Sequence, residues 1–202
     1  MTTQRTAVFP GTFDPFTNGH LDLTRRATRL FDRVVVAVAD SPSKGTLFPL
    51  EQRAEMIREA CRNLRTVEVA TFSDLVVVCA RRVGAMVMIR GLRAVSDFEF
   101  EFQMALMNRR LSRSLEVAFL MPSQEYTYLN STLVKEVARL GGDVHGLVPP
   151  GVERRLREAL RVRAAAAGAE ARAARRADVA ARVTPVRRKA RGAASRTSRR
   201  AR

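Results

Sequence analysis

The stretch of sequence that decides the fold is TAVFPGTFDPFTNGH, residues 6–20. Its apolar start, Thr6–Phe9, predicts a buried strand, and Pro10-Gly11 predicts the turn that ends it. Together with Pro15 and Gly19, this turn gives two prolines and two glycines, which predict a tight loop whose backbone can approach a ligand closely. A helix predicted over His20–Phe31 begins where free N–H groups and the helix dipole favour a phosphate. This order of strand, loop and helix predicts an anion site in an α/β fold.

Strand-like and helix-like patterns alternate along the rest of the first 160 residues. Further strands are predicted at Val34–Ala39, Val67–Thr71, Ala85–Ile89 and Glu116–Met121. Further helices are predicted at Leu50–Leu64, from an N-cap at Ser73 or Asp74 to Val83, at Val95–Leu111, at Ser131–Leu140 and from Val152 onward. Together they predict an α/β fold, a Rossmann-like five-stranded parallel sheet with helices on both faces. Ligands bind such sheets beyond the carboxyl ends of the strands.

The net charge of +16, from 36 Lys+Arg against 20 Asp+Glu, is concentrated at one end of the chain. Residues 161–202 carry fourteen Lys+Arg against Glu170 and Asp178, a net charge of +12, which leaves +4 for the other 160 residues. After Arg163 the sequence is mostly Ala, Arg, Gly, Ser and Thr, too few apolar groups to form a core. We therefore predict one folded domain over residues 1–163. The Ala/Arg-rich basic tail, 164–202, should extend a helix and become disordered beyond Pro185.

Composition excludes several classes of protein. The longest apolar runs, Val34–Ala39 and Leu75–Ala80, are far shorter than the roughly 20 residues of a membrane span. We expect no signal peptide, no membrane partner and a cytoplasmic location, with Cys61 and Cys79 as buried, reduced thiols. The sequence also lacks a P-loop and a glycine-rich dinucleotide fingerprint, which disfavours a Walker-type ATPase and a dehydrogenase.

Four loops that follow predicted strands carry groups suited to phosphate. A helix-capping role is the usual alternative for a histidine such as His20, and solvation is the alternative for Lys44. Arg90 and Arg93, on either side of Gly91, offer planar forks of N–H donors for phosphate oxygens. The last of these loops supplies hydroxyl groups, at Ser123, Tyr126, Thr127, Tyr128, Ser131 and Thr132. The set predicts binding of a polyphosphate and stabilisation of its charge.

Thr17-Asn18-Gly19-His20 resembles the T/H-x-G-H signature of the nucleotidyltransferase superfamily. The longer match is similar to the bacterial phosphopantetheine adenylyltransferases, through residues 10–20, SPSK at 41–44, IRGLRA at 89–94, DFE at 97–99 and LVKEVA at 133–138. It covers residues 5–160. The T-x-G-H element by itself is specific only to the superfamily, and the block at residues 90–93 narrows the resemblance to this family.

The resemblance implies transfer of AMP from ATP to 4′-phosphopantetheine, giving dephospho-coenzyme A and pyrophosphate, the penultimate step of coenzyme A biosynthesis. It implies direct in-line attack without a covalent enzyme intermediate. Mg²⁺ would accompany the ATP without a dedicated cluster of protein ligands, and the protein would form a homohexamer.

The resemblance also implies roles for individual residues. The implied catalytic residues are His20, Lys44 and Arg93. The implied substrate-binding residues are Thr12, Lys44, Val76 and Arg90. The implied ATP-binding residues are Thr12, Phe13, His20, Gly91, Leu92, Arg93, Glu101, Tyr126, Thr127, Tyr128, Leu129, Asn130, Ser131 and Thr132. Two positions depart from the family pattern, since Asn130-Ser131-Thr132 replaces a frequent run of three serines, and Phe100 replaces a frequent tyrosine.

Two other functions remain open at this point. One is transfer of a nucleotidyl group to another phosphate acceptor, such as nicotinamide mononucleotide or a polyol phosphate. The other is non-specific binding of a polyanion, RNA or DNA, by the basic tail. A solvated extension without specific function is the plain alternative for this tail.

Overall fold

The computed structural model describes residues 4–40 and 45–183, with side chains other than those of residues 95, 96 and 176–183. The chain divides into two compact units, residues 1–162 and 163–202. The strands are β1 (Thr6–Gly11), β2 (Arg33–Ala39), β3 (Val67–Phe72), β4 (Val87–Gly91) and β5 (Glu116–Leu120). The helices are α1 (Asn18–Ala27), α2 (Leu50–Cys61), α3 (Val76–Arg82), α4 (Val95–Leu111), α5 (Ser131–Arg139) and α6 (Pro150–Val183). A 3₁₀ turn covers Gln124–Tyr126.

The five strands form one parallel sheet in the order β3-β2-β1-β4-β5. At its centre Val8 of β1 lies opposite Val35 of β2 and Met88 of β4. Successive crossovers therefore run outward in opposite directions from β1, and the order reverses between β1 and β4. A crevice opens at such a point beyond the strand ends. The predicted Rossmann-like five-stranded parallel sheet is confirmed.

Helices cover both faces of the sheet, because alternate residues of a strand point to opposite sides. Phe9 of β1 belongs to a buried cluster with residues of α1 and α2, including Leu23 and Ile57. Its neighbour Val8 belongs to a second cluster with residues of α3, including Cys79. Burial on both faces explains why β2 is a continuous run of valine and alanine rather than an alternating pattern.

The start of α3 differs from the sequence prediction. Its N-cap is Leu75, without a side-chain hydrogen bond, so the predicted cap at Ser73 or Asp74 is wrong. The Asp74 carboxylate instead accepts a 2.9 Å hydrogen bond from Nη1 of Arg82. An ion pair with the far end of the helix has replaced the local cap. The predicted buried thiols are confirmed, since Cys61 and Cys79 are both buried and unpaired, and burial raises the pKa of Cys61 to about 11.

In the second unit, every residue from 163 to 175 is exposed and helical, as part of α6. The predicted disorder beyond Pro185 lies outside the described residues. Among the helices of the described ranges, none is both long and apolar enough to cross a membrane.

Candidate functional site

A cavity of about 480 Å³ lies at the carboxyl ends of β1 and β4, where the strand order reverses. Its volume is typical of a site for a small molecule or cofactor. Twelve of the residues singled out by the sequence line it, namely Thr12, Phe13, His20, Arg90, Gly91, Arg93, Glu101, Tyr126, Leu129, Asn130, Ser131 and Thr132.

The other singled-out residues have different positions. Leu92 donates its backbone N–H to Leu120 at 3.0 Å, and the Thr127 hydroxyl donates to the Gln124 carbonyl at 2.9 Å. Tyr128 is exposed, and Val76 packs against the cluster of buried residues under α3. None of these four lines the described cavity. Lys44 lies outside the described residues.

The loop after β1 is shaped around the Phe13 ring. Phe13 has a φ of +50°, a left-handed conformation that residues with a side chain rarely adopt. Its ring packs edge-on against Phe9 at 5.4 Å and Phe16 at 5.5 Å. A Cβ added to Gly11 would lie 2.7 Å from Cζ of this ring, so any larger residue there would displace the ring. The Asp14-Pro15 peptide bond that follows is cis.

His20 caps the helix that it begins. The Thr17 backbone N–H donates to Nδ1 of His20 at 3.0 Å, and the His20 N–H donates to the Thr17 hydroxyl oxygen at 3.3 Å. Because Nδ1 accepts a hydrogen bond, the proton of the neutral ring is on Nε2. The capping role that the sequence offered as an alternative is therefore present, and Nε2–H is left as a donor at the cavity.

The surroundings of His20 keep its ring uncharged. Burial, together with the positive charges of Arg93 and Arg90, lowers the pKa of His20 to about 4. The ring is stacked on Phe16 at 5.6 Å and meets the Phe13 ring edge-on at 5.1 Å. At neutral pH His20 therefore acts as a hydrogen-bond donor without a charge of its own.

Arg90, near the end of β4, and Arg93, just after it, are each held by a carboxylate of α4. Arg90 forms a bidentate ion pair with Glu101, in which Nε donates to Oε2 at 2.7 Å and Nη2 donates to Oε1, and its Nη1 donates to the Pro10 carbonyl at 3.1 Å. Arg93 donates from Nε and Nη2 to Asp97 at 2.9 and 3.1 Å. The resemblance assigned Arg90 and Glu101 to different substrates, but here they are one paired unit.

The amino end of α5 also faces the cavity, with Thr132 and Lys135 in its lining. Asn130 is the N-cap, and its side-chain oxygen accepts the Leu133 N–H at 2.8 Å. Asparagine therefore keeps the capping function at this departure from the family pattern. At the second departure, Phe100 is exposed on α4 and absent from the cavity lining.

Sequence reasoning did not single out Asp14, which also lines the cavity, as does Lys135, one turn into the helix after the hydroxyl-rich loop. The Asp14 carboxylate is 4% exposed and accepts hydrogen bonds from the backbone N–H groups of Leu47 at 2.9 Å and Phe48 at 3.0 Å. It also forms a 2.7 Å ion pair with Nζ of Lys135. An aspartate between proline and phenylalanine in a loop is typical of a turn, so no local signal indicates these distant partners.

The carboxylates of the cavity are already committed to cations. Asp14 is paired with Lys135, and Glu101 is paired with Arg90. In the part of the chain that the structure describes, no group of three or more His, Cys, Asp or Glu residues could hold a metal ion. These residues therefore fit a metal that arrives with a phosphate ligand better than a resident one.

The chain is similar to several known proteins. The sequence model of the cytidylyltransferase-like family matches residues 8–137. A protein of Moorella thermoacetica named phosphopantetheine adenylyltransferase is 56% identical over 150 residues, which cover 74% of this chain and 94% of that protein.

Two solved structures are similar in shape. A putative nicotinate-nucleotide adenylyltransferase from Vibrio parahaemolyticus has a TM-score of 0.61 at 17% identity, over 78% of this chain and 95% of that one. A lipopolysaccharide core biosynthesis protein from Thermoplasma volcanium has a TM-score of 0.46 at 20% identity, over 60% of this chain and 98% of that one. At this identity the first likeness concerns the fold alone.

Proposed function

The chain belongs to the phosphopantetheine adenylyltransferases of the cytidylyltransferase-like family, and from that premise we propose that it transfers AMP from ATP to 4′-phosphopantetheine. The products would be dephospho-coenzyme A and pyrophosphate, as in the penultimate step of coenzyme A biosynthesis. The observation that carries the proposal is a neutral donor, His20, that lines one cavity together with Arg90 and Arg93, whose positive charges lower its pKa. The transfer of AMP from one phosphate group to another requires such hydrogen-bond donors and positive charges, because negative charge grows on the α-phosphate in the transition state.

In the proposed reaction, a phosphate oxygen of phosphopantetheine attacks the α-phosphorus of ATP in line. The new bond joins that oxygen to the α-phosphorus, and the bond from the α-phosphorus to the bridging oxygen breaks. Pyrophosphate leaves with the electron pair, and no covalent enzyme intermediate forms. The attacking phosphate is already ionised at neutral pH, so the reaction needs positioning and charge stabilisation more than a base.

The residues of the cavity divide between the two substrates. The Nε2–H of His20 would donate to a non-bridging oxygen of the α-phosphate, where negative charge grows in the transition state. Arg93 and the free N–H groups at the start of α5 would hold the other phosphates of ATP. Thr12 and Arg90 would hold the attacking phosphopantetheine. Lys44, from the resemblance alone, is proposed to join them.

We propose that Mg²⁺ enters with ATP and is held by its phosphate oxygens. When bound, it would neutralise part of the triphosphate charge. The cation-paired carboxylates of Asp14 and Glu101 fit this arrangement, because neither is available as a ligand without giving up its partner.

We also propose that the enzyme is a cytoplasmic homohexamer. Helix α4 exposes a set of large apolar side chains, each between 39% and 62% accessible: Phe98, Phe100, Phe102, Met104, Leu106, Met107 and Leu111. Exposed apolar residues on a soluble monomer are usually scattered singly, so this number of them on one helix favours burial against other copies of the chain. The same helix supplies Asp97 and Glu101, so copies packed on it would also steady the arginines of the cavity.

The test of the proposed function is an acceptor panel. Purified enzyme with ATP and Mg²⁺ should release pyrophosphate with 4′-phosphopantetheine and show no turnover above background with nicotinamide mononucleotide or glycerol 3-phosphate. Coupled pyrophosphate detection measures the rates, and mass spectrometry identifies dephospho-coenzyme A. Turnover with another acceptor and none with phosphopantetheine would show that the proposed substrate is wrong.

We propose a second property for the basic tail, contact with nucleic acid. Residues 164–202 contain twelve Arg and Lys residues and two acidic ones, and all the described side chains from 163 to 175 are exposed. Between residues 163 and 183 the only apolar residues larger than alanine are Val179 and Val183, too few for insertion into a membrane surface. Arginine binds phosphate bidentately, which favours a polyphosphate backbone as the partner.

Full-length protein should bind a 20-nucleotide RNA with an affinity that falls steeply with salt, because each neutralised phosphate adds to the slope of log K against log salt. A chain that ends at residue 163 should lose this binding and keep its rate of adenylyl transfer. Fluorescence anisotropy between about 50 and 200 mM salt measures both proteins. Equal binding of RNA by the shortened chain would show that the tail is not the segment that binds nucleic acid.

A further inference from the structure

Arg53, in the first turn of α2, is fully buried and does not line the cavity. Its guanidinium donates to three backbone carbonyl oxygens. Nε donates to Phe48 at 3.1 Å, and Nη1 donates to Thr12 at 2.6 Å and to Ala39 at 2.9 Å. These three carbonyls lie after β1, at the end of β2 and just before α2. One side chain therefore joins three separate segments at the edge of the cavity.

The backbone just before α2, which Arg53 binds at Phe48, is also bound by Asp14. Its carboxylate accepts from the backbone N–H groups of Leu47 and Phe48, so Phe48 is bound through its N–H by Asp14 and through its carbonyl by Arg53. The negative charge of Asp14 also helps to keep the buried Arg53 charged, against a burial that lowers its pKa. The two side chains thus support one another without lying on one element.

Phe13 is the residue between the two anchored positions. Its left-handed φ of +50° is costly for a phenylalanine, and such a conformation persists only where the surroundings fix it on both sides. Arg53 fixes the carbonyl of Thr12 on one side, and the bonded carboxylate fixes Asp14 on the other. The Phe13 ring then lies edge-on against His20, with ring centres 5.1 Å apart.

We propose that Arg53 and Asp14 form a buried polar clamp. The clamp holds the Phe13 ring against His20, and it holds Thr12 at the edge of the cavity. Both are positioning residues for His20 and Thr12. The consequence for catalysis rests on the proposed adenylyl transfer, whereas the consequence for the environment of His20 does not. Arginine is required because three carbonyls in different directions need a planar group with several donors, which the single ammonium of lysine cannot replace.

The decisive variant is Arg53→Lys, which keeps the buried positive charge and loses the planar set of N–H donors. We expect kcat to fall about 10-fold, within the 10²-fold that a 1 Å displacement of a catalytic group can cost, and the KM for ATP to change by less than about threefold. We also expect the pKa of His20, followed by the NMR shift of its ring, to rise from about 4 toward the ordinary 6.5. This rise follows because a displaced Phe13 ring would expose more of the His20 ring to water, while Arg90 and Arg93 stay in place.

The matched control is Arg58→Lys, on the same helix. Arg58 is exposed and its Nη1 donates to Glu55 at 3.3 Å, so the substitution should leave kcat and the pKa of His20 unchanged. If Arg53→Lys does not fold, Asp14→Asn carries the test with the same two readouts, since an amide cannot accept both backbone N–H groups.

A folded clamp variant with a lower melting temperature but wild-type kcat and His20 pKa would overturn the proposal, because a merely structural role has that result. The NMR readout needs no substrate. If the wild-type enzyme proves inactive with phosphopantetheine, a rise in the His20 pKa still supports the clamp, and an unchanged pKa still rejects it.

Discussion

Replacing His20 with alanine is expected to lower kcat about 10²–10³-fold, the cost of one donor aimed at developing charge. The affinity for ATP should change by less than about threefold, because the neutral Nε2–H gains most of its interaction when charge accumulates on the α-phosphate. Single-turnover rates and ATP titration by calorimetry measure the two quantities separately. Wild-type kcat in this variant would exclude His20 from the chemistry.

His20→Gln is the matched control, because alanine also removes the acceptor that caps α1. Glutamine three residues after a threonine N-cap is the usual partner in a capping box, so the Thr17 N–H keeps an acceptor. The melting temperature should stay near the wild-type value. Its kcat should stay at least about 10-fold low, since one amide cannot cap Thr17 and donate to the phosphate in the geometry of the imidazole ring. Full activity in His20→Gln would reduce His20 to a capping residue.

The pH profile separates a neutral donor from an acid–base catalyst. With the pKa of His20 lowered to about 4, its ring stays neutral from pH 8 down to pH 5. Any inflection of kcat/KM for ATP near pH 6 to 6.5 should therefore come from the phosphate groups of the substrates, and it should be unchanged in His20→Gln. The same shift affects stability. The folded pKa is below the unfolded value, so this contribution is present above about pH 6.5 and is lost as the pH falls toward 4.

The sequence was sufficient for the fold because its signals are local. β-branched runs such as Val34–Ala39 have the continuous apolar pattern of strands buried on both faces, and each is bounded by a turn signal. The Thr17–His20 helix start is likewise local, and the structure has the cap that the sequence offered as an alternative role for His20. The prediction of an Asp74 cap was wrong because the Asp74 carboxylate binds Arg82, eight residues further along the chain, instead of the N–H groups at the start of α3.

The site was predicted only as far as motif positions reach. Most of the singled-out residues line the cavity, but Val76 and Tyr128 do not. Asp14 was missed, and the helical pattern over residues 50–64 wrongly puts Arg53 on the solvent side, although it is fully buried. Their partners, Phe48 and Thr12, lie 34 and 41 residues away along the chain. Contacts at such separations depend on how the segments pack, and no local pattern encodes them.

Replacing Arg93 with methionine is expected to lower kcat/KM for ATP roughly 10²-fold, about 3 kcal/mol, the value of one strong or two ordinary hydrogen bonds to a charged group. Arg93 lines the cavity with its guanidinium oriented by Asp97 and by the Leu129 carbonyl, to which Nη1 donates at 3.2 Å. Arg93→Lys should recover little of this loss, since a lysine has no planar fork to meet two phosphate oxygens. Initial rates at varied ATP concentration, with phosphopantetheine saturating, measure kcat/KM for ATP in both variants.

A double variant decides how Arg93 acts. If Arg93 only balances the charge of Asp97, then Arg93→Met combined with Asp97→Asn should restore wild-type kcat/KM. If Arg93 binds the nucleotide, the double variant should stay as slow as Arg93→Met, because the donors to phosphate are still missing. The control is Arg109→Met, an exposed arginine at the far end of α4 whose ion pair with Glu116 lies outside the cavity, and its loss should leave kcat/KM unchanged. The Arg93–Asp97 and Arg109–Glu116 pairs each consist of an arginine and a carboxylate. Only a role at the phosphates therefore predicts that Arg109→Met leaves kcat/KM unchanged while Arg93→Met lowers it.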